Sequence, residues 1–234
     1  SVVPAELRDA ERTASKSQQA DDGEFSRKID SQDEDIGSRA VIRNARELVW
    51  YPSEVDTSIR TGWFYHPEED TDVRTADELL DIYLDAVGAN ASLLLNIPPD
   101  THGRIAAADC ASLAELGTKI QQIFAGNVTE KAKITADSAI AQHPITQAVD
   151  GMANTYWQAA YGQESDTITL NFTKPQKVSC VVLGEHLPTG QRIESGEIWA
   201  DGSKVSEFTV VGHKRICRFA PVEVLTLTIK ITAS

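Results

Sequence analysis

Cysteine is scarce in this sequence: Cys110, Cys180 and Cys217 are the three in 234 residues. They form no Cys-x-x-Cys pair, and an odd number cannot all pair within one chain. A disulfide framework is therefore not indicated, and buried free thiols are expected. The five histidines are scattered, without the ligand spacing of a zinc site. No run of about eighteen apolar residues occurs, which excludes a membrane-spanning helix. Positive charge is also short, because 22 Lys and Arg face 35 Asp and Glu for a net charge of −13. A nucleic-acid binder needs a basic face to displace counterions, so that class is excluded. No internal repeat is present.

What is there describes a folded chain. Hydrophobic residues make up 41% and charged residues 24%, a balance incompatible with global disorder. The length allows one large domain or two ordinary ones. Residues 131–234 carry ten basic and ten acidic side chains, so the whole acidic excess lies in residues 1–130. That step in charge density sets the expected boundary near Gly126–Lys133, giving domains 1–130 and 131–234. The chain opens on Ser-Val-Val-Pro without a start methionine, which raises the expectation of sequence upstream.

The first domain is expected to be α/β. Residues 14–38 are dense in Ser, Gln, Asp and Glu and read as a long polar loop. Leu48-Val49-Trp50-Tyr51 reads as a strand ended by Pro52. A loop rich in rings and charges follows, from Ser53 to His66. Thr75 and Glu78 form a capping box ahead of Leu79, Ile82, Tyr83, Ala86 and Val87, with Gly88 at the expected C-terminal cap. Ser92-Leu-Leu-Leu-Asn-Ile97 is apolar on both faces and fits a buried parallel strand. A second helix follows, with Cys110, Leu113, Gly117, Ile120 and Phe124 on one stripe. Strand, helix, strand, helix is the repeat of a parallel α/β fold. A closed eight-stranded barrel takes roughly 200 residues or more, so these units amount to part of one.

After Lys133 the period changes to two. Ile168–Phe172 and Leu225–Ile231 alternate, Val178–Leu183 is a buried run, and Phe208–Val210 and Ile216–Phe219 add further strands. Turn signals at Lys174-Pro175, Pro188–Gly190, Asp201-Gly202 and Ala220-Pro221 separate them. Seven or eight short strands are expected, and they suit an antiparallel β-sandwich.

Chemistry concentrates in Trp50-Tyr-Pro-Ser-Glu-Val-Asp-Thr-Ser-Ile-Arg-Thr-Gly-Trp-Phe-Tyr-His66. Rings stack on the apolar face of a pyranose, and Glu54, Asp56 and Arg60 can hydrogen-bond hydroxyls. The plainer reading is a surface loop whose Trp63 and Phe64 pack on a neighbouring helix. This run, with Leu93-Leu-Leu-Asn-Ile-Pro-Pro-Asp-Thr-His-Gly-Arg-Ile105, resembles the α-L-fucosidases of glycoside hydrolase family 29. The branch it most resembles prefers α-1,3/1,4-linked fucose. The resemblance implies the last βα units of a (β/α)8-like barrel followed by a β-sandwich. It implies hydrolysis of terminal α-L-fucosyl linkages in a fucosylated oligosaccharide, with no cofactor required. It also favours a periplasmic or extracellular location.

Such enzymes retain configuration, with a nucleophile and an acid/base about 5–5.5 Å apart. Neither the family's "W-x-D-G-A"-like nor its "R-W-x-G-N-E"-like segment occurs here. Both are expected upstream of Ser1, on a missing N-terminal barrel half in the same or a separate chain. This chain is then expected to hold no catalytic residue and to be inactive alone. Trp63 takes the place of the ring facing the fucose C6 methyl. Glu54 and Asp56 bind sugar hydroxyls, orient Arg60 or cap the strand end, and for Glu54 proton transfer is a further role. His66 is a packed imidazole or a ligand contact, and Asn96 satisfies backbone groups at a strand end. Asp150-Gly-Met-Ala-Asn-Thr-Tyr-Trp157 is similar to a turn of discoidin-like, galactose-binding-type domains. There Asp150 and Thr155 would offer oxygens to a structural Ca²⁺, the alternative being a plain tight turn beside Trp157. A reading of another class also stands: a non-catalytic carbohydrate-binding or structural module.

Overall fold

The computed structural model describes residues 2–4, 39, 48–50 and 53–234. The polar loop expected over 14–38 lies outside them. The described residues fall into two compact units, 53–127 and 128–234, with 2–4, 39 and 48–50 grouped with the second. Strand β1 (Val2–Pro4) pairs antiparallel with β2 (Leu48–Trp50), with Val3 opposite Val49.

The unit 53–127 runs β3 (Glu54–Ser58), α1 (Ala76–Gly88), β4 (Ser92–Asn96) and α2 (Ala107–Phe124). The two strands are parallel, with Glu54 opposite Ser92 and Ser58 opposite Asn96. This places a strand where the sequence reading expects a loop. Glu54, Val55, Asp56 and Thr57 alternate between exposed and half-buried positions, so the period of two is carried partly by acidic residues. The capping box forms as expected: Thr75 N–H donates to Glu78 Oε2 (2.8 Å) and Glu78 N–H to Thr75 Oγ1 (3.3 Å). The end of α1 differs in detail. Gly88 is still helical, and Asn90 takes the left-handed conformation at φ 68°. Ala91 N–H then reaches back to Ala86 C=O (3.0 Å), the six-to-one bond of a Schellman ending.

Ile59, Ala76, Leu79 and Leu116 form the core of this unit, with Leu95, Ile97, Leu113 and Ile120 packed against it. The helices thus cover the Leu95 side of the strand pair. Leu94 on the other face is 51% exposed, so burial on both faces is not realised. Cys110, expected on the buried stripe of α2, is exposed instead. Leu113 and Ile120 pack on the core as expected, while Asp109 and Leu116 are buried in place of Cys110 and Gly117. Cys217 is buried and Cys180 half-buried, where burial pushes the thiol pKa up.

The unit 128–234 holds one five-stranded antiparallel sheet in the order β5 (Ala132–Ala136), β6 (Asp166–Leu183), β9 (Arg215–Ala233), β7 (Ser195–Ala200), β8 (Ser203–Phe208). Its core is built on Leu170, Phe172, Ile198, Phe208, Val224 and Leu227. The seven or eight short strands expected are five, because two expected turns lie inside long strands. Between Asn171 and Gln176 the ladder is interrupted, with Lys174-Pro175 in the excess opposite Leu225. Between Val178 and Cys180 the excess is on β9 and contains Ala220-Pro221. Proline lacks an amide hydrogen, so it is tolerated where the ladder is already broken. Asp201-Gly202 does turn the chain, with both residues at positive φ (46° and 84°). The Asp201 carboxylate also accepts from Leu225 N–H (3.1 Å) and Thr226 N–H (2.8 Å), satisfying amides beside the first interruption.

Gly196 marks the tightest approach in this sheet. A Cβ there would lie 2.5 Å from the Lys230 carbonyl oxygen and 2.2 Å from the Phe208 ring. Gly196→Ala is expected to cost about 1–3 kcal/mol in denaturant unfolding. Gly62→Ala, where nothing lies within 4 Å, serves as the control. A Gly196→Ala cost below about 0.5 kcal/mol, the range of ordinary surface changes, would contradict the packing described.

Candidate functional site

Two loops leave the carboxyl ends of the parallel pair, residues 59–75 after β3 and residues 97–106 after β4. The first is anchored by Ile59 and Arg60, both buried. Arg60 Nε donates to Asp109 Oδ2 (3.1 Å), Nη2 to Asp70 Oδ1 (2.7 Å) and Nη1 to the His66 carbonyl (3.2 Å). Asp109 Oδ1 adds an ion-pair contact to Nη2 at 3.0 Å. The Tyr65 ring lies under the guanidinium, 4.7 Å from its carbon. Burial disfavours the charge, but the bonds to Asp109 and Asp70 outweigh it and raise the Arg60 pKa above its ordinary value. Burial, then Asp70, likewise raises the Tyr65 hydroxyl.

A second set of bonds fixes the same loop from β4. Asn96 Nδ2 donates to Ser58 Oγ (3.1 Å) and to the Trp63 carbonyl (3.0 Å), while Ser58 Oγ donates to the Gly62 carbonyl (2.8 Å). Asn96 therefore satisfies backbone at a strand end, as its position suggested. Arg74 closes the far side, its amide donating to Ile59 C=O and its Nε to Ser58 C=O, both at 2.9 Å. The loop after β4 is folded on Asp100, whose Oδ1 accepts from His102 N–H (2.8 Å) and Arg104 N–H (2.9 Å). Those bonds, Arg104 first, hold the Asp100 carboxyl below its ordinary range. Gly103 sits at φ 73°, a conformation that favours glycine, which accounts for the glycine of that motif.

The expected site residues separate into two groups. Trp63 (48% exposed) and Phe64 (76%) present their rings to solvent past the end of β3, over a clamped backbone. Glu54 and Asp56 lie on β3 itself, exposed, on the face shared with Leu94. Their side chains have no hydrogen-bond or ion-pair partner among the described residues. Glu54 stands four residues before Ser58, about 13 Å from the ring-bearing end at the usual strand rise. Neither acid orients Arg60; Asp109 and Asp70 do. Nor are Arg60's donors turned toward hydroxyls, since they are spent on internal partners. The His66 ring is exposed, and its carbonyl serves as an acceptor. Sequence reasoning missed Asp109, and the signal was there: an acidic residue in register with the apolar stripe of a helix.

In the second unit Asp150 and Thr155 do meet. Thr155 Oγ1 lies 2.9 and 2.8 Å from the two Asp150 oxygens, and Met152 N–H donates to Oδ1 (2.9 Å). Trp157 Nε1 donates to the Ser138 carbonyl (3.0 Å) and its ring is half-buried. The hydroxyl and the carboxylate are each other's partners, so the turn closes on itself. Among the described residues no three His, Cys, Asp or Glu side chains cluster as metal ligands.

In α/β folds the loops at the carboxyl ends of parallel strands carry the functional sites, and comparison with known proteins shows what this chain resembles. The α-L-fucosidase family model matches residues 11–122. Alpha-L-fucosidase 1 of Arabidopsis thaliana is 33% identical over 184 residues, covering 74% of this chain and 36% of that protein. A candidate α-L-fucosidase of Bacteroides thetaiotaomicron superimposes with TM-score 0.74 at 32% identity, over 79% of this chain and 42% of that one. A Ruminococcus gnavus fucosidase of glycoside hydrolase family 29, solved with fucose, gives TM-score 0.72 at 28% identity, over 79% and 39%. Over these stretches the chain is similar to α-L-fucosidases. The chain spans about a third of the length of the curated relatives it matches.

The Arg60 network yields a stability test. Asp109→Ala strands a buried guanidinium and is expected to cost about 3–5 kcal/mol in urea unfolding. Asp70→Ala, removing a partner that is 44% exposed, is expected to cost about 1 kcal/mol or less. Equal costs would contradict the assignment of Asp109 as the principal counter-charge.

Proposed function

We propose that this chain is part of a retaining α-L-fucosidase acting on terminal α-L-fucosyl linkages, of the branch that prefers α-1,3/1,4-linked fucose. The observation that carries the reading is the pair of exposed rings, Trp63 and Phe64, held at the carboxyl end of parallel strands by Arg60 and Asn96. In (β/α)8 enzymes that end carries the active site. A rigid apolar ring suits fucose, whose C6 is a methyl group rather than a hydroxymethyl. Residues 53–127 are two βα units of a (β/α)8-like barrel. The face of β3 that bears Glu54 and Asp56, away from the helices, is then the barrel interior. There the two acids reach sugar hydroxyls or pair with groups on other strands. The nucleophile and acid/base belong to polypeptide upstream of Ser1, and the unit 128–234, whose described strands form one five-stranded sheet, stands in the place of the accompanying β-sandwich.

The purified 234-residue chain is expected to release no aryl alcohol from an aryl α-L-fucoside, and to gain turnover when joined to the upstream polypeptide. Hydrolysis by the chain alone would overturn the placement of the reacting carboxylates. In the joined enzyme Trp63→Ala is expected to lower kcat/KM by the equivalent of about 1–3 kcal/mol. An unchanged kcat/KM would remove Trp63 from the pocket.

The Asp150–Thr155 turn is proposed to be self-closed rather than a calcium site. A calcium ion would take six to eight oxygens, whereas the carboxylate here is engaged by a hydroxyl and an amide. Adding a calcium chelator is expected to leave the melting temperature of the chain unchanged. A drop reversed by added Ca²⁺ would assign the turn to the metal.

A further inference from the structure

Three consecutive aromatic residues, Trp63, Phe64 and Tyr65, lie in the loop after β3, and the loop does not use them alike. Tyr65 is half-buried, its ring against the Arg60 guanidinium and its hydroxyl donating to Asp70 Oδ2 (3.4 Å). Tyr65 is therefore part of the clamp. Trp63 is tied to β4, because its carbonyl accepts from Asn96 Nδ2 (3.0 Å), and it is 48% exposed. Phe64 stands between these two anchored residues at 76% exposure. Of the exposed large apolar residues of this unit (Trp63, Phe64, Leu94, Ile105 and Phe124) it is the most exposed. A phenyl group stabilises a fold by leaving water, so Phe64 contributes little to this one. The carbonyls of Gly62, Trp63 and His66, bonded to Ser58, Asn96 and Arg60, fix the backbone on either side of it.

What such a ring can do follows from the order in which an oligosaccharide enters a pocket, and the inference rests on the fucosidase reading above. A terminal fucosyl unit goes in first, and the sugar to which it is linked follows on the solvent side. The more enclosed ring, Trp63, then belongs to the fucose, and the more exposed ring, Phe64, to the next unit. Consecutive Cα atoms are about 3.8 Å apart, a step short enough for two linked sugars to meet the two rings. A phenyl face has no donor or acceptor. It recognises a pyranose by the C–H groups on one side of the ring and leaves the hydroxyls to other partners.

We propose that Phe64 is the platform for the sugar that carries the fucose, and so a determinant of which fucosylated oligosaccharide is cleaved. The test compares two substrates of the joined enzyme. One is α-L-fucosyl fluoride, whose leaving group has no ring, and the other is α-L-fucose linked 1,3 to N-acetylglucosamine. The readout is the ratio of kcat/KM for the disaccharide to kcat/KM for the fluoride. Phe64→Ala is expected to lower that ratio about fivefold. Phe64→Tyr, which keeps the ring face, is expected to hold the ratio of the unaltered enzyme. Phe64→Leu, which keeps apolar bulk without a ring, is expected to lower it as Ala does. A ratio left unchanged by Phe64→Ala, whether both rates fall together or neither falls, would overturn the proposal. So would a ratio restored by Phe64→Leu, because Phe64 would then serve packing. Failure of the unaltered joined enzyme to cleave either substrate would overturn the fucosidase reading itself, a result distinct from the others.

Discussion

The buried guanidinium of Arg60 is the constraint on which the candidate site depends. It lies where β3 ends and is bonded to α2 through Asp109, to the following turn through Asp70, and to the chain itself through the His66 carbonyl. A charge in that position is tolerable only because each bond replaces one lost from water. The consequence is local. Trp63 and Phe64 fall inside the stretch that these bonds span, and both remain exposed, at 48% and 76%. Asn96 and Ser58 secure the same segment from the neighbouring strand. The backbone that carries the rings is thus held by polar groups.

Much of this was legible in the residues, and the reasons for what was not are physical. The capping box at Thr75 and Glu78 is a local pattern whose partners are three residues apart, so it reads directly. The parallel strand at 92–96 announces itself by an apolar run. Strand β3 does not, since its outward positions are acidic and its alternation resembles a charged loop. Asp109 was passed over because a stripe is traced by apolar residues, and the reading shifted to Cys110 one step away. The partner that makes an aspartate acceptable there is 49 residues earlier in the sequence. Likewise Lys174-Pro175 and Ala220-Pro221 are turn signals by composition, yet the sheet absorbs both as ladder interruptions. Whether a proline ends a strand depends on the neighbouring strand.

The two groups of site residues also differ in how the sequence foretells them. Trp63 sits where ring and loop coincide, and its exposure follows from local clamps. Glu54 and Asp56 have no side-chain partner among the described residues and lie on an open strand face, so nothing local foretells their roles. A pair of parallel strands with an exposed Leu94 is a small fraction of a sheet, and parallel sheets are ordinarily covered on both faces. The chain covers 35% and 36% of the two curated α-L-fucosidases it matches.

The most direct test is a structure of this chain joined to its upstream polypeptide with L-fucose bound. The expected result is van der Waals contact, about 4 Å, between the Trp63 ring and the C6 methyl, with the reacting carboxylates supplied from outside residues 1–234. Fucose seated away from Trp63, or its anomeric carbon flanked by two carboxylates of this chain, would contradict the reading.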